Sequence, residues 1–224
     1  MVSQVIKMAS EWAAQVIGIN YYPEYTTLKP LTAAAEDAEK IAEQLEQYGY
    51  RPFRAQCLPR SLNQKGESKI DRQGAVRVQE LREAIANLFN PPPPNPTPET
   101  ALFFFSGHGW CKTVAGKEEV FLATSDALPE EEVYGIPLSW LGEQLQRSQA
   151  KRVVVWLEVF YGRSALTQQL IKQVRDKHRL IAVLGASGSG KSSMLRAGWV
   201  TLPAEARTRD SRKRSLDLYY SVYA

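Results

Sequence analysis

The chain has 224 residues, 44% hydrophobic, 23% charged and 10% aromatic, an ordinary globular composition that excludes a disordered chain, a collagen-like repeat and a disulfide scaffold. Its net charge of +4 sits in one stretch, where Arg207, Arg209, Arg212, Lys213 and Arg214 face only Asp210, so the excess reads as a solvated basic end rather than a nucleic-acid surface. Two cysteines, Cys57 and Cys111, no apolar run near the ~20 residues of a membrane span and no signal-peptide h-region predict a soluble, cytoplasmic protein engaging neither nucleic acid nor membrane.

In chain order, residues 12–19 form a nearly continuous apolar run, the pattern of a strand buried on both faces of a parallel sheet. After a loop with Tyr21, Tyr22, Pro23 and Pro30, a helix is marked by Ala34, Ala38, Ile41, Ala42 and Leu45, and Gly49 stops it. Residues 53–58 read as a second strand, and Val78, Leu81, Ile85, Leu88 and Phe89 as the buried stripe of a second helix. Residues 91–98, PPPPNPTP, predict an extended polyproline spacer on the surface, unable to be helix or central strand. The most apolar strand, 101–105, ends at Ser106-Gly107-His108-Gly109. A short strand at 120–123, a helix at 137–147, a strand at 153–157 ending at Glu158, a helix at 164–175 and a strand at 180–184 complete the series. Strands alternating with helices predict an α/β domain with a mainly parallel sheet, whose ligands belong at the carboxyl ends of the strands.

His108, flanked by glycines at the end of a buried strand, sits where backbone can approach a ligand closely. Its imidazole has the chemistry of a general base near neutral pH, although spacing alone equally allows a histidine that only bonds a loop. Five segments occur in succession: Gly18-Ile19-Asn20-Tyr21-Tyr22-Pro23, Asp37-Ala38, Phe105-Ser106-Gly107-His108-Gly109, Leu122-Ala123-Thr124-Ser125-Asp126-Ala127 and Val153-Val154-Val155-Trp156-Leu157-Glu158. In order and spacing they resemble the caspase-like cysteine peptidases over residues 11–162, the closest branch being the metacaspase-like proteins of bacteria, especially cyanobacteria. The resemblance implies a three-layer α/β sandwich of caspase type and a Cys/His dyad that hydrolyses peptides. It assigns His108 as base, the Gly109 N–H to the oxyanion, and Asp37, Ser106 and Glu158 to an acidic pocket for Arg or Lys before the cleaved bond.

One departure is decisive for the chemistry. The family's catalytic strand ends Leu-Asp-x-Cys, whereas this chain reads Leu157-Glu158-Val159-Phe160-Tyr161-Gly162. Phe160 stands where the nucleophile belongs, and a phenyl ring cannot form a thiolate. Losing such a nucleophile lowers turnover ~10⁴-fold or more. Cys111, three residues after His108 on the same expected loop, leaves the attacking position empty, where geometry tolerates errors of only ~1 Å. Cys57, inside a predicted strand, reads as a small core residue.

Residues 185–192, GASGSGKS, fit G-x-x-x-x-G-K-[ST] completely. Between the apolar run 180–184 and residues 193–198, which can start a helix, they read as a phosphate loop of strand-turn-helix type. Gly185, Gly188 and Gly190 let backbone N–H groups cradle an anion, Lys191 reaches the β- and γ-phosphates, and Ser192 ligates Mg²⁺, so ATP with Mg²⁺ is the expected cofactor. Residues 168–198 resemble the opening of STAND-type NTPases, which are signalling ATPases. No later apolar strand ends in an Asp to serve as Walker B, so weak nucleotide binding without turnover is expected.

The expected organisation is a caspase-like domain over 11–162 (the large-subunit half), a truncated P-loop element over 164–200 whose strand 180–184 stands in as a sheet strand, and a basic, aromatic tail over 201–224. The expected function is that of a caspase-like pseudopeptidase with a peptide- or protein-binding role. The alternatives are a nucleotide-binding STAND-type module, a peptidase using an unconventional thiol, and a non-functional remnant of a longer caspase–STAND protein. No metal set stands out; metacaspases often respond to calcium, and Asp126 is the only position suggested for it.

Overall fold

Among the described residues of the computed structural model, apolar runs and amphipathic stripes fall into thirteen elements: β1 (Trp12–Gly18), α1 (Ala34–Glu46), β2 (Arg54–Leu58), β3 (Arg60–Leu62), β4 (Ser68–Ile70), α2 (Val78–Phe89), β5 (Thr100–Gly107), β6 (Gly109–Val114), β7 (Lys117–Leu122), β8 (Ile136–Pro137), α3 (Leu138–Arg147), β9 (Arg152–Val159) and β10 (Arg179–Leu184). The structure describes residues 12–47, 53–62, 64, 66, 68–114, 116–128, 131, 133–159 and 179–184. Phe160, the helix expected at 164–175, the phosphate loop with Gly185, Gly188, Gly190, Lys191 and Ser192, and the tail lie outside the described residues.

Five strands form one sheet in the order β10-β9-β5-β1-β2, and every neighbouring pair is parallel. Side chains alternate between the two faces of each strand. Phe103, Phe105, Val155 and Leu157 therefore pack on one side with Leu81, Ile85 and Phe89 of α2 and Leu141 and Leu145 of α3. Leu102, Phe104, Val154 and Trp156 pack on the other with Ala35, Ala38, Ile41 and Leu45 of α1. Covered on both faces, β5 is apolar throughout 101–105 and β9 throughout 153–157, which is why they are legible as unbroken runs. This is the expected three-layer α/β arrangement with a mainly parallel sheet.

Several details differ from the sequence reading. β5 runs on through Ser106 and Gly107, and β9 through Glu158 and Val159, because those residues stay in register across the ladder (Ser106 opposite Glu158, Gly107 opposite Val159). An apolar pattern cannot show that extension, since pairing is made by backbone. The strand read at 120–123 is β7, and it lies outside the main sheet in an antiparallel unit ordered β6-β7-β8. The β3–β4 hairpin has no counterpart in the sequence reading. The proline segment is not extended throughout: the Asn95 N–H donates to the Pro92 carbonyl at 3.1 Å and closes a turn. The run at 180–184 does join the sheet, with Leu180 opposite Val153 and Leu184 opposite Leu157. Among the described residues no helix is long and apolar enough to cross a membrane.

Candidate functional site

The carboxyl ends of β1, β5 and β9 converge with two loops, 19–31 and 123–127. His108 leaves the end of β5 and is only 5% exposed. Its Nε2 lies 2.8 Å from the Lys29 carbonyl oxygen. A carbonyl only accepts, so in the neutral ring Nε2 carries the proton and Nδ1 carries the lone pair. Burial holds the imidazole below the ordinary histidine value, against the opposing pull of the Lys29 carbonyl. His108 is therefore neutral near neutral pH, the form that can accept a proton.

Tyr22 shapes this turn. Its hydroxyl accepts the His108 backbone N–H at 2.9 Å and donates to the Ala123 carbonyl at 3.4 Å. Its ring meets the imidazole edge-on, with centroids 4.8 Å apart. Burial pushes the hydroxyl's pKa far above the ordinary tyrosine range, only partly offset by its bond to the His108 backbone. The loop that carries Lys29 is closed at its ends by the Leu31 N–H on the Asn20 carbonyl at 2.9 Å. The Asn20 side chain meanwhile accepts the Ala35 N–H at 3.0 Å, satisfying one donor in the first turn of α1.

Ser106 and Glu158 stand side by side on the face covered by α1, and the Ser106 hydroxyl donates to Glu158 Oε2 at 3.4 Å. Both are buried. Asp37 lies in the first turn of α1, beside the Ala38 that presses on Gly18, and Gly18 is the residue opposite Ser106 in the sheet. The structure thus brings Ser106 and Glu158 into contact and puts the Asp37 turn on the same side of the sheet.

Gly109 comes directly after His108 and has no room for a side chain: a Cβ there would collide with Val159 Cγ1 and lie 3.2 Å from the Phe121 carbonyl oxygen. The Ala123 N–H bonds the His108 carbonyl at 2.9 Å, so Gly109 and Leu122 form a non-hydrogen-bonded pair of the antiparallel ladder. In such a pair the N–H points away from the partner strand, which directs the Gly109 N–H off β7.

Two sequence expectations are corrected. Cys111 is not on a loop with His108; it is a strand residue of β6, paired with Val120 and exposed. Three residues of extended chain put about 10 Å of backbone between the two. Desolvation, with Glu118 and Glu119 beside it, also raises its thiol above the ordinary cysteine value, which disfavours a nucleophilic thiolate. Asp126, suggested for calcium, instead accepts the Val78 N–H on both carboxylate oxygens, at 3.0 and 3.2 Å, and so caps α2. Among the described residues no cluster of three or more His, Cys, Asp or Glu has metal-holding geometry. Cys57 is buried as read, and burial pushes its thiol up to about 11.

Sequence reasoning passes over Tyr22, the Lys29 carbonyl and Ser125. Ser125 donates to the Tyr21 carbonyl at 2.8 Å and accepts the Val76 N–H at 3.0 Å. The Thr124-Ser125-Asp126 stretch belongs to one of the five family-like segments, and its polar run beside a buried strand is the available signal.

Comparison with known proteins agrees with this geometry. The caspase domain family matches residues 12–155, and Novel STAND NTPase 1 matches residues 157–218. No curated protein matches the chain. Since the first match covers well over half of its length, the chain belongs to the caspase domain family, here continued by a STAND NTPase segment.

Proposed function

We propose that this chain is a cytoplasmic caspase-fold protein of metacaspase type that holds a peptide by an Arg or Lys side chain and does not cleave it. The observation that carries the reading is the buried Ser106–Glu158 pair at the carboxyl end of the sheet, next to a neutral His108 held by Lys29. Glu158, with Asp37 on the neighbouring helix turn, supplies the negative charge. The Gly109 N–H, directed off its ladder, supplies a donor for a peptide carbonyl. Phe160 removes the thiol that hydrolysis needs. The reduced thiols Cys57 and Cys111 suit the reducing compartment. We read the organisation as a domain over 11–162 continued by a P-loop element over 164–200.

Fluorescence anisotropy with a short labelled peptide ending in Arg tests this. Saturable binding is expected, with Glu158→Gln weakening it by roughly 30-fold or more, the effect of truncating one partner of a buried charge pair. A Gln-ending peptide that binds as tightly as the Arg-ending one would end the reading.

A second reading, nucleotide binding through Gly185, Gly188, Gly190, Lys191 and Ser192, is favoured by the family match over 157–218. Backbone N–H groups of the loop and the Lys191 ammonium would hold the phosphates, and the Ser192 hydroxyl suits Mg²⁺. Binding of a fluorescent ATP analogue is expected to disappear in Lys191→Ala; saturable binding indifferent to that change would contradict it.

A further inference from the structure

We propose that Tyr22 is the positioning residue of His108, holding the imidazole so that Nε2 faces the Lys29 carbonyl and Nδ1 is left as the basic atom. The inference rests on the reading of His108 as the group that faces the bound peptide.

Three observations carry it. The Tyr22 hydroxyl bridges two backbones distant in sequence, taking the His108 N–H at 2.9 Å and giving its proton to the Ala123 carbonyl at 3.4 Å. The ring stands edge-on to the imidazole at an interplanar angle of 64°, which limits rotation of the His108 side chain. Tyr22 also belongs to the loop that presents Lys29, and the neighbouring Tyr21 carbonyl is anchored by the Ser125 hydroxyl at 2.8 Å. One side chain therefore joins the segment holding the proton acceptor to the segment holding the imidazole.

The glycine before His108 fits the same account. A Cβ at Gly107 would come within 3.0 Å of the Tyr22 hydroxyl oxygen and 2.9 Å of Phe105 Cζ. That position is kept empty so that the tyrosine reaches past it. For packing alone a phenylalanine fills nearly the same volume. Without the hydroxyl, however, the buried His108 N–H and Ala123 carbonyl lose their bridge, and satisfying them requires the turn to move.

The chain has two histidines, His108 and His178, so ¹⁵N spectra of the imidazoles contain two spin systems, which His108→Ala assigns. The unmodified chain is expected to show His108 as a single Nε2–H tautomer at neutral pH, titrating below the usual histidine value. In Tyr22→Phe the single-tautomer signature is expected to give way to a mixture, with the midpoint moving up toward that of an exposed histidine. A residue that only packs would lower the melting temperature and leave tautomer and midpoint where they were; that result overturns the proposal. Should Tyr22→Phe not fold, Ser125→Ala releases the Tyr21 carbonyl that anchors this loop. The same loss of the single tautomer then supports the proposal, and an unchanged spectrum overturns it. Because no peptide is present in these spectra, failure of peptide binding and failure of this assignment are separate results.

Discussion

A short fluorogenic peptide ending in Arg or Lys is expected to survive incubation with this chain at the uncatalysed rate, and Phe160→Cys is expected to create a thiol whose reactivity depends on His108. Peptide hydrolysis by a histidine-assisted thiol requires sulfur within reach of the imidazole, and removal of the nucleophile lowers turnover by ~10⁴ or more. Neither native thiol is placed to substitute. Cys57 is buried with its thiol pushed up to about 11, and Cys111 is an exposed strand residue whose thiol is raised by desolvation, Glu118 and Glu119. Position 160 is chosen for the new thiol because β9 ends at Val159, directly before it. Val159 pairs with Gly107 and touches Gly109, the two residues that flank His108. Iodoacetamide labelling of Phe160→Cys at pH 7 is expected to run roughly tenfold or more faster than labelling of Cys111, and to lose that advantage when His108→Ala is added. Cleavage by the unmodified chain that vanishes in His108→Ala would overturn the expectation of no hydrolysis. Labelling of the new thiol that ignores His108 would place residue 160 away from the imidazole.

How much of this is legible in the sequence depends on the kind of contact each feature uses. The central strands are readable because a strand covered by helices on both faces must be apolar at almost every position, as 101–105 and 153–157 are. The stripes of α1 and α2 are readable because their buried positions recur every three or four residues. Polar positions that complete β5 and β9, Ser106 and Glu158, are legible only through the family resemblance, since nothing local distinguishes them from loop residues. Strand β6 escapes a sequence reading, unlike its partner β7, because Cys111, Lys112 and Thr113 are all exposed, so no alternation of apolar and polar residues marks it. Least readable are the groups that fix His108. Lys29 contributes a backbone carbonyl, which no side-chain pattern encodes, and Ser125 and Tyr22 act across the whole fold rather than along the chain.

Gly18→Ala is expected to destabilise the fold by about 3 kcal/mol, a fall of roughly 6–12 °C in melting temperature for a chain of this size, and to weaken Arg-peptide binding with it. β1 ends under the first turn of α1, and the helix lies so close there that a Cβ on Gly18 would be 2.6 Å from the Ala34 carbonyl oxygen, 2.6 Å from Ala38 Cβ and 2.7 Å from Ala35 Cα. Two of those three atoms are backbone, so no rotamer change relieves them and the helix itself must shift. The shift matters for the site because the same turn carries Asp37 and receives the Asn20 cap, while Gly18 stands opposite Ser106. Small residues on α1 (Ala34, Ala35, Ala38) are what allow this approach, which explains why its buried stripe begins with alanine and reaches Ile41 and Leu45 only further from the site. Adding Ala38→Gly removes one of the three close contacts and leaves the two backbone ones, so the double variant should recover part of the stability and not all of it. Thermal melts of the three variants with anisotropy on the Arg-ending peptide read both effects. A Gly18→Ala chain that melts with the unmodified protein would mean that α1 does not press on β1 at this point, and the link from Gly18 through the helix turn to Asp37 would fall with it.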